Sequence, residues 1–351
     1  MRVVASLVAA GCLIAAGPDF RPALPGYHYQ FPRDHFSHPD FQTEWWYYTG
    51  NVHSPDGHRY GFELVFFRQG QPRGPEDTPS VWRADDLYLA HLALSDLDAR
   101  RHTYYSRLNR AGPGIAGISL EQHRIWNGNW ESVWDQAYGV QTLKAVARDI
   151  RFELRLTPRK SLVINGENEV SQKAAAPGRA SYYVSFTRMA VEGVLNGASV
   201  TGWAWMDHEW STHPLSAEEV GWDWFSIQLE NNSELMFFQL RRSDGTIDPY
   251  SSGTYVAADG HATHLKRADF QLEPLEFWRS PKTQGRYPIR WRITMPSLHL
   301  SLECTAAFPD QELSSDDIGG NVYWEGATTY SGSSSGVGYL EMTGYSTPVR
   351  L

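Results

Sequence analysis

The stretch "TEWWYYTGNVHSPDGHRYGFELVFFR", residues 43–68, decides the fold. Asp56-Gly57 near its middle supplies the positive φ that a tight hairpin requires. Beyond the turn, Tyr60, Phe62, Leu64 and Phe66 recur at period two, the spacing of side chains on one face of a strand. Before it, Glu44, Trp45, Trp46, Tyr47 and Tyr48 stand side by side. Such rings either fill a core or line a pocket for something large and apolar.

The same grammar runs along the chain. Turn signals recur at Asn127-Gly128, Asn165-Gly166, Asn196-Gly197, Asp244-Gly245 and Asp259-Gly260. Between them, "DIRFELRLTP" alternates Ile150, Phe152, Leu154 and Leu156 against Arg151, Glu153 and Arg155. "GWDWFSIQLE" sets Phe225, Ile227 and Leu229 on one face and Trp224, Ser226 and Gln228 on the other. No long segment has a helical period, although residues 95–110 are compatible with one helical turn. Strands and hairpin turns at this spacing predict an all-β protein, a barrel or a sandwich. The hairpin of residues 43–68 is echoed by "GWDWFSIQLENNSELMFFQLRRSDG": a Trp-rich strand, a polar turn, then a strand ending in Phe-Phe near an arginine. The echo predicts two related β halves. A barrel of about eight strands can hold one ligand in its lumen. Residues 331–338, "SGSSSGVG", read as a loop before a last strand.

Composition narrows the function. The 351 residues carry a formal net charge of −9 and no long basic run, which argues against nucleic-acid binding. Fourteen Trp exceed ordinary packing needs and suit sites with an apolar body and a polar tip. Residues 1–17, "MRVVASLVAAGCLIAAG", read as an export signal, being shorter than the roughly 20 apolar residues of a membrane span. "LVAAGC" ends on Cys12, either a lipidation site or a bystander in a cleaved signal. Cys304 is then left alone, so neither a disulfide framework nor a Cys-based zinc site is available. Residues 18–40, rich in Pro, His and Asp, read as an extended linker.

The chemistry concentrates in "TGWAWMDHEWSTH", residues 201–213, where Asp207, His208 and Glu209 lie among Trp203, Trp205 and Trp210. Apolar walls raise a carboxyl pKa and keep a proton available near neutrality. Alternation along a strand, however, sends Asp207 and Glu209 to one face and His208 to the other. His208-Glu209 with His213 is one residue too long for the helical zinc-protease spacing, so no metal site is expected. No G-x-S-x-G, P-loop or dinucleotide fingerprint is present. Glu44/Trp45, Glu209/Trp210 and Trp324/Glu325 are neighbour pairs that either converge on one cavity or satisfy separate indoles.

As a set and in this order, "FQTEWWYYTGNV", "GWAWMDHEW", "GWDWFSIQLENNSELMFFQLRRSDG" and "YWEGATTYSG…GVGYLEMTGY" resemble the AttH/carotenoid 1,2-hydratase family, also called hydroxyneurosporene-synthase-like or lipocalin-like. The resemblance implies two calycin-type (lipocalin-like) antiparallel β-barrel domains packed together, residues 41–215 and 216–351. Some relatives hydrate carotenoid precursors; secreted bacterial relatives occur with ABC-type permeases. Two expectations follow. One is a cofactor-independent, acid-catalysing hydratase for an isoprenoid or other long apolar substrate. Its catalytic candidates are Asp207, His208, Glu209, Glu44 and Glu325, and its ligand-binding candidates Trp45, Trp46, Tyr48, Trp205, Trp210, Trp224, Tyr323 and Trp324. The other is a carrier of an apolar ligand, exported to the periplasmic side, anchored to the membrane through Cys12 or soluble there, and serving an ABC-type permease.

Overall fold

The computed structural model describes residues 20–71, 85–112, 114–314 and 322–349, so Cys12 lies outside the described residues. The chain forms two curled antiparallel sheets. The first contains β1 (Thr43–His53), β2 (Arg59–Gly70), β3 (Asp86–Asp96), β4 (Arg101–Arg110), β5 (Ala116–Ser119), β6 (Arg124–Asn127), β7 (Trp130–Trp134), β8 (Gln141–Val146), β9 (Arg151–Pro158), β10 (Val163–Ile164), β11 (Ser171–Gln172), β12 (Ala180–Leu195) and β13 (Ala198–Ser211). The second contains β14 (Glu219–Leu229), β15 (Glu234–Arg242), β16 (Ser252–Val256), β17 (Ala262–Lys266), β18 (Gln271–Arg279), β19 (Arg286–Met295), β20 (Leu300–Ala306), β21 (Glu312–Ser314), β22 (Val322–Gly332) and β23 (Gly336–Thr343). Helix among the described residues is confined to three single 3₁₀ turns.

The strand orders show why the hairpins echo. The first sheet runs β4-β3-β2-β1-β13-β12-β9-β8-β7-β6-β5, and the second β17-β16-β15-β14-β23-β22-β20-β19-β18. In each, a hairpin (β1–β2 or β14–β15) starts the sheet, and the last strand of that sheet pairs back onto its first. The first sheet curls until its two edges meet: Asn109 Nδ2 donates to Asn127 Oδ1 at 2.6 Å, and Asn127 Nδ2 to Tyr88 O at 3.0 Å. It forms a near-barrel, and the second sheet a half-barrel.

Period-two alternation fills both concave faces. Phe62, Leu64, Phe66, Phe152, Leu154 and Leu156 pack in the first core, and Phe225, Ile227, Leu229, Trp291 and Leu340 in the second. The lumen of the first barrel is therefore occupied by its own side chains. A third apolar cluster joins the sheets through their convex faces, with Tyr47, Val65, Tyr183 and Trp205 against Trp224, Met236, Phe238 and Tyr339. Gly61 permits this approach: a Cβ there would stand 2.6 Å from the Tyr339 hydroxyl and 2.9 Å from Ala327 Cβ.

Three local expectations change. Residues 95–110 hold a turn and β4 rather than a helical turn, because Arg100 takes φ 53° and reverses the chain. Only residues 333–335 separate β22 from β23, so the Ser/Gly-rich tract is mostly strand. Residues 20–40 are not a free linker. Phe36 joins the first core, Tyr27 and Tyr29 pack against Tyr182 and Trp210, and Trp46 Nε1 donates to His35 O at 2.9 Å.

Candidate active site between the sheets

β1 lies between β2 and β13, and its alternation sorts the aromatic run into two sets. Trp45 and Tyr47 face the second sheet in register with Phe67 and Val65 of β2 and with Glu209 and Asp207 of β13. Glu44, Trp46 and Tyr48 point the other way, with His208 and Trp210 beside them.

On the outer side a cavity of about 530 Å³ opens between the sheets, within the range of sites for drug-sized ligands. Its walls are largely apolar: Trp45, Val65, Phe67, Trp222, Trp224, Phe238 and Leu240. Five carboxylic acids enter it, namely Glu63, Asp207, Glu209, Glu325 and Glu341. Lys173 is the one lysine or arginine among the described lining residues.

Asp207 is 3 % exposed. Tyr183 donates to Oδ2 at 2.6 Å, and Ser185 and Trp205 Nε1 donate to Oδ1 at 2.5 and 2.7 Å. Burial outweighs these donors and pushes the carboxyl up to about 7. Trp224 Nε1 donates to the Tyr183 hydroxyl at 3.0 Å, which ties the second sheet to this group. Two positions along β13, Glu209 accepts from Ser181 and lies 3.3 Å from Lys173 Nζ. Lys173 is itself lowered by burial and lies 3.7 Å above the Phe238 ring.

A second acidic group spans the interface on the β2–β3 side. Glu325 accepts from Tyr47, and Tyr323 lies 3.2 Å from Glu63 Oε1 and hydrogen-bonds His91 Nδ1. Glu341 stands directly across β22–β23 from Glu325. Burial raises Glu63 and Glu341 to about 8; burial and the neighbouring acids push Glu325 well above the carboxylate range. Burial lowers His91 to about 4, so its ring is neutral at pH 7.

The inner side of β1 holds a different network. Glu44 Oε1 pairs with His38 Nδ1 at 2.7 Å and His208 Nε2 at 2.9 Å, and Oε2 with Arg68 Nε at 3.0 Å and His38 N at 2.9 Å. Burial opposes ionisation here, but His38, His208 and Arg68 outweigh it and hold the Glu44 carboxyl well below its ordinary range. Trp46 stacks on His208 and Trp210 on His38. Among the described residues, His38, Glu44 and His208 are the one trio whose donor atoms lie close enough to share a metal ion. The facing guanidinium of Arg68 and the bonds already closing Glu44 make it an internal ion-pair knot tying the arm to β1, β2 and β13.

The structure therefore brings Asp207, Glu209, Glu325, Trp45, Trp224 and Tyr323 to one cavity, with Trp205 behind Asp207 as its donor. It does not bring Glu44, His208, Trp46, Tyr48 or Trp210 there, because each occupies the opposite face of its strand. Trp324 is in the second core, its Nε1 donating to Pro309 O at 2.6 Å. Of the three Trp–Glu neighbour pairs, each sends only one member to the cavity: Trp45, Glu209 and Glu325. Glu63, Glu341, Tyr47, Tyr183, His91 and Lys173 were missed. A signal existed for two of them: Glu63 and Glu341 are lone acids in strands apolar on both faces, "YGFELVFFR" and "YLEMT".

The model of the AttH-like family matches residues 22–345. An AttH crystal structure from Nitrosomonas europaea shares 34 % identity with a TM-score of 0.82, covering 93 % of this chain and 99 % of that one. Kievitone hydratase from Nectria haematococca superimposes with a TM-score of 0.67 at 15 % identity, over 94 % and 98 % of the two chains. CghA, solved with Sch210972, does so with a TM-score of 0.54 at 13 % identity, over 94 % and 97 %. At such identities the last two share the fold alone. No curated protein matches this chain in sequence.

Proposed function

We propose that this chain, which belongs to the AttH-like family, is a hydratase-type enzyme that adds water across a carbon–carbon double bond of an apolar substrate. The observation that carries the reading is the set of buried acids in an aromatic cavity, with Asp207 pushed up to about 7. An isolated alkene needs an acid that still holds its proton near neutral pH, a surface that tolerates the resulting cation, and a positioned water. Asp207 gives its proton to one alkene carbon, the π pair forming the new C–H bond. Tyr183, Ser185 and Trp205 steady the carboxylate left behind. The faces of Trp45, Tyr47 and Trp224 attract the cation. Water, held on the Glu209–Lys173 side, bonds to the other alkene carbon, which carries the positive charge, and the proton it sheds returns to Asp207. The reaction uses protons and water alone.

Support comes from a fold shared with a protein named as a hydratase. We extend the substrate class to an isoprenoid or similar apolar molecule that seats its double bond within about 530 Å³. A carrier of an uncharged apolar ligand would need the apolar walls but gains nothing from an acid such as Asp207 held near neutrality. The test is incubation with prenyl-bearing and terpenoid alkenes in D₂O, read by mass spectrometry. Hydration places one non-exchangeable deuterium on carbon and adds a hydroxyl. Recovery of every alkene unchanged, together with an intact ligand extracted from the purified protein, would replace the enzyme by the carrier.

A further inference from the structure

We infer that the Glu63–Glu325–Glu341 end of the cavity is a binding site for an organic cation, a quaternary ammonium or protonated amine carried on an apolar body. The inference rests on the cavity being a ligand site, as proposed above, and deepens it by naming the charge of the ligand.

Three observations lead there. Glu63 is 1 % exposed and lines the cavity, yet its Oε2 has no hydrogen-bond partner. Its acidic neighbour Glu325 can satisfy it only through a shared proton. The acids converge from β2, β22 and β23, and their remaining partners are uncharged donors: Tyr47 for Glu325, Tyr323 for Glu63 and Trp222 for Glu341. Lys173, the one lysine or arginine of the described lining, is committed to Glu209 on the β11–β12 side, with β13 and β1 between it and Glu63 on β2. A buried cluster of this kind is stable only with positive charge among the carboxyls, either protons or a ligand.

A single metal ion does not answer the geometry. Among the described residues, the oxygens of these three acids do not come within one ion's coordination distance of each other, whereas the donors of His38, Glu44 and His208 do. A larger cation with a diffuse charge fits better, because the walls are π-faces. Trp224 pairs across the strands with Glu341 and packs edge-on to Tyr47 at 5.1 Å, and Tyr339 lies in the same cluster. Aromatic faces backed by carboxylates are the chemistry that recognises quaternary ammonium groups.

The titratable groups facing the cluster are Tyr47 from β1, His91 from β3, Asp207 and Glu209 from β13, Tyr323 from β22 and Tyr339 from β23. The tyrosines are raised far above 10 and His91 is lowered to about 4, so none is positive at pH 7. In the free protein Glu63 and Glu341 hold protons below about 8. A bound cation displaces protons to solvent, so its affinity rises with pH up to about 8.

The test compares benzyltrimethylammonium with its uncharged carbon isostere neopentylbenzene, by tryptophan fluorescence and calorimetry on the wild-type protein. We expect the cation to bind about tenfold more tightly at pH 8 and to release protons, seen as buffer-dependent heats. Glu63→Gln and Glu325→Gln should each remove about tenfold of that preference and leave neopentylbenzene binding unchanged. Equal affinity, or binding of neopentylbenzene alone, overturns the cation site while leaving the apolar cavity standing. Binding of neither overturns both. The wild-type comparison decides even where a variant fails to fold.

Discussion

Asp207→Asn separates a catalytic from a structural carboxyl without knowledge of the substrate. Asn keeps the size, and its Oδ1 still accepts from Ser185 and Trp205, but Nδ2 now meets the Tyr183 hydroxyl, which must turn. One disturbed hydrogen bond costs about 1 kcal/mol. Against this stands the burial of the charge. Asp207 rises from 3.8 to about 7 on folding, a difference equivalent to about 4 kcal/mol, reduced to about 2–4 kcal/mol by relaxation and water entry. Below pH 3.8 the group is neutral in both states and its contribution to stability is fully present. As pH rises the unfolded chain loses the proton first, so stability falls, and the loss is complete once pH passes about 7. Asn never ionises. Urea unfolding from pH 4 to 8.5 should therefore show the variant about 1 kcal/mol less stable at pH 4 and about 1–3 kcal/mol more stable at pH 8, with a crossing between. Once a substrate is known, the rate should fall by about two to four orders of magnitude. A stability difference that stays flat across this range refutes the buried-acid argument. An unchanged rate in the folded variant removes Asp207 as the acid.

Glu44→Gln leaves Arg68 and two imidazoles around a neutral amide, and should cost about 3–5 kcal/mol in urea unfolding while cavity ligands bind a refolded sample normally. Gly61→Val drives a side chain into Tyr339 and Ala327; it should cost about 1–3 kcal/mol and speed amide exchange in β2 and β22. Burial pushes the Cys304 thiol up to about 12, so a disulfide reagent should label it only after unfolding. Cys12→Ser should move the protein from the membrane to the soluble fraction of the envelope; a wild type already wholly soluble would end the lipoprotein expectation.

The sequence by itself determined the strands and their faces. Period-two alternation and Asn-Gly or Asp-Gly turns are local, and each strand buried its apolar side as the pattern required, from Phe152, Leu154 and Leu156 to Phe225, Ile227 and Leu229. It also determined that Asp207 and Glu209 share a face while His208 does not. Which face meets the other sheet was decided only in three dimensions. Trp45 and Trp46 are adjacent and chemically alike, yet one lines the cavity and the other stacks on His208 in the interior. The two sheets pack through convex faces that carry buried aromatic rings, as their cores do, so hydrophobicity along the chain does not distinguish them. Glu63, Glu325 and Glu341 lie as much as 278 residues apart and meet only because β2, β22 and β23 are pressed together at Gly61. Their closeness, and the burial that raises their pKa values, are properties of that meeting.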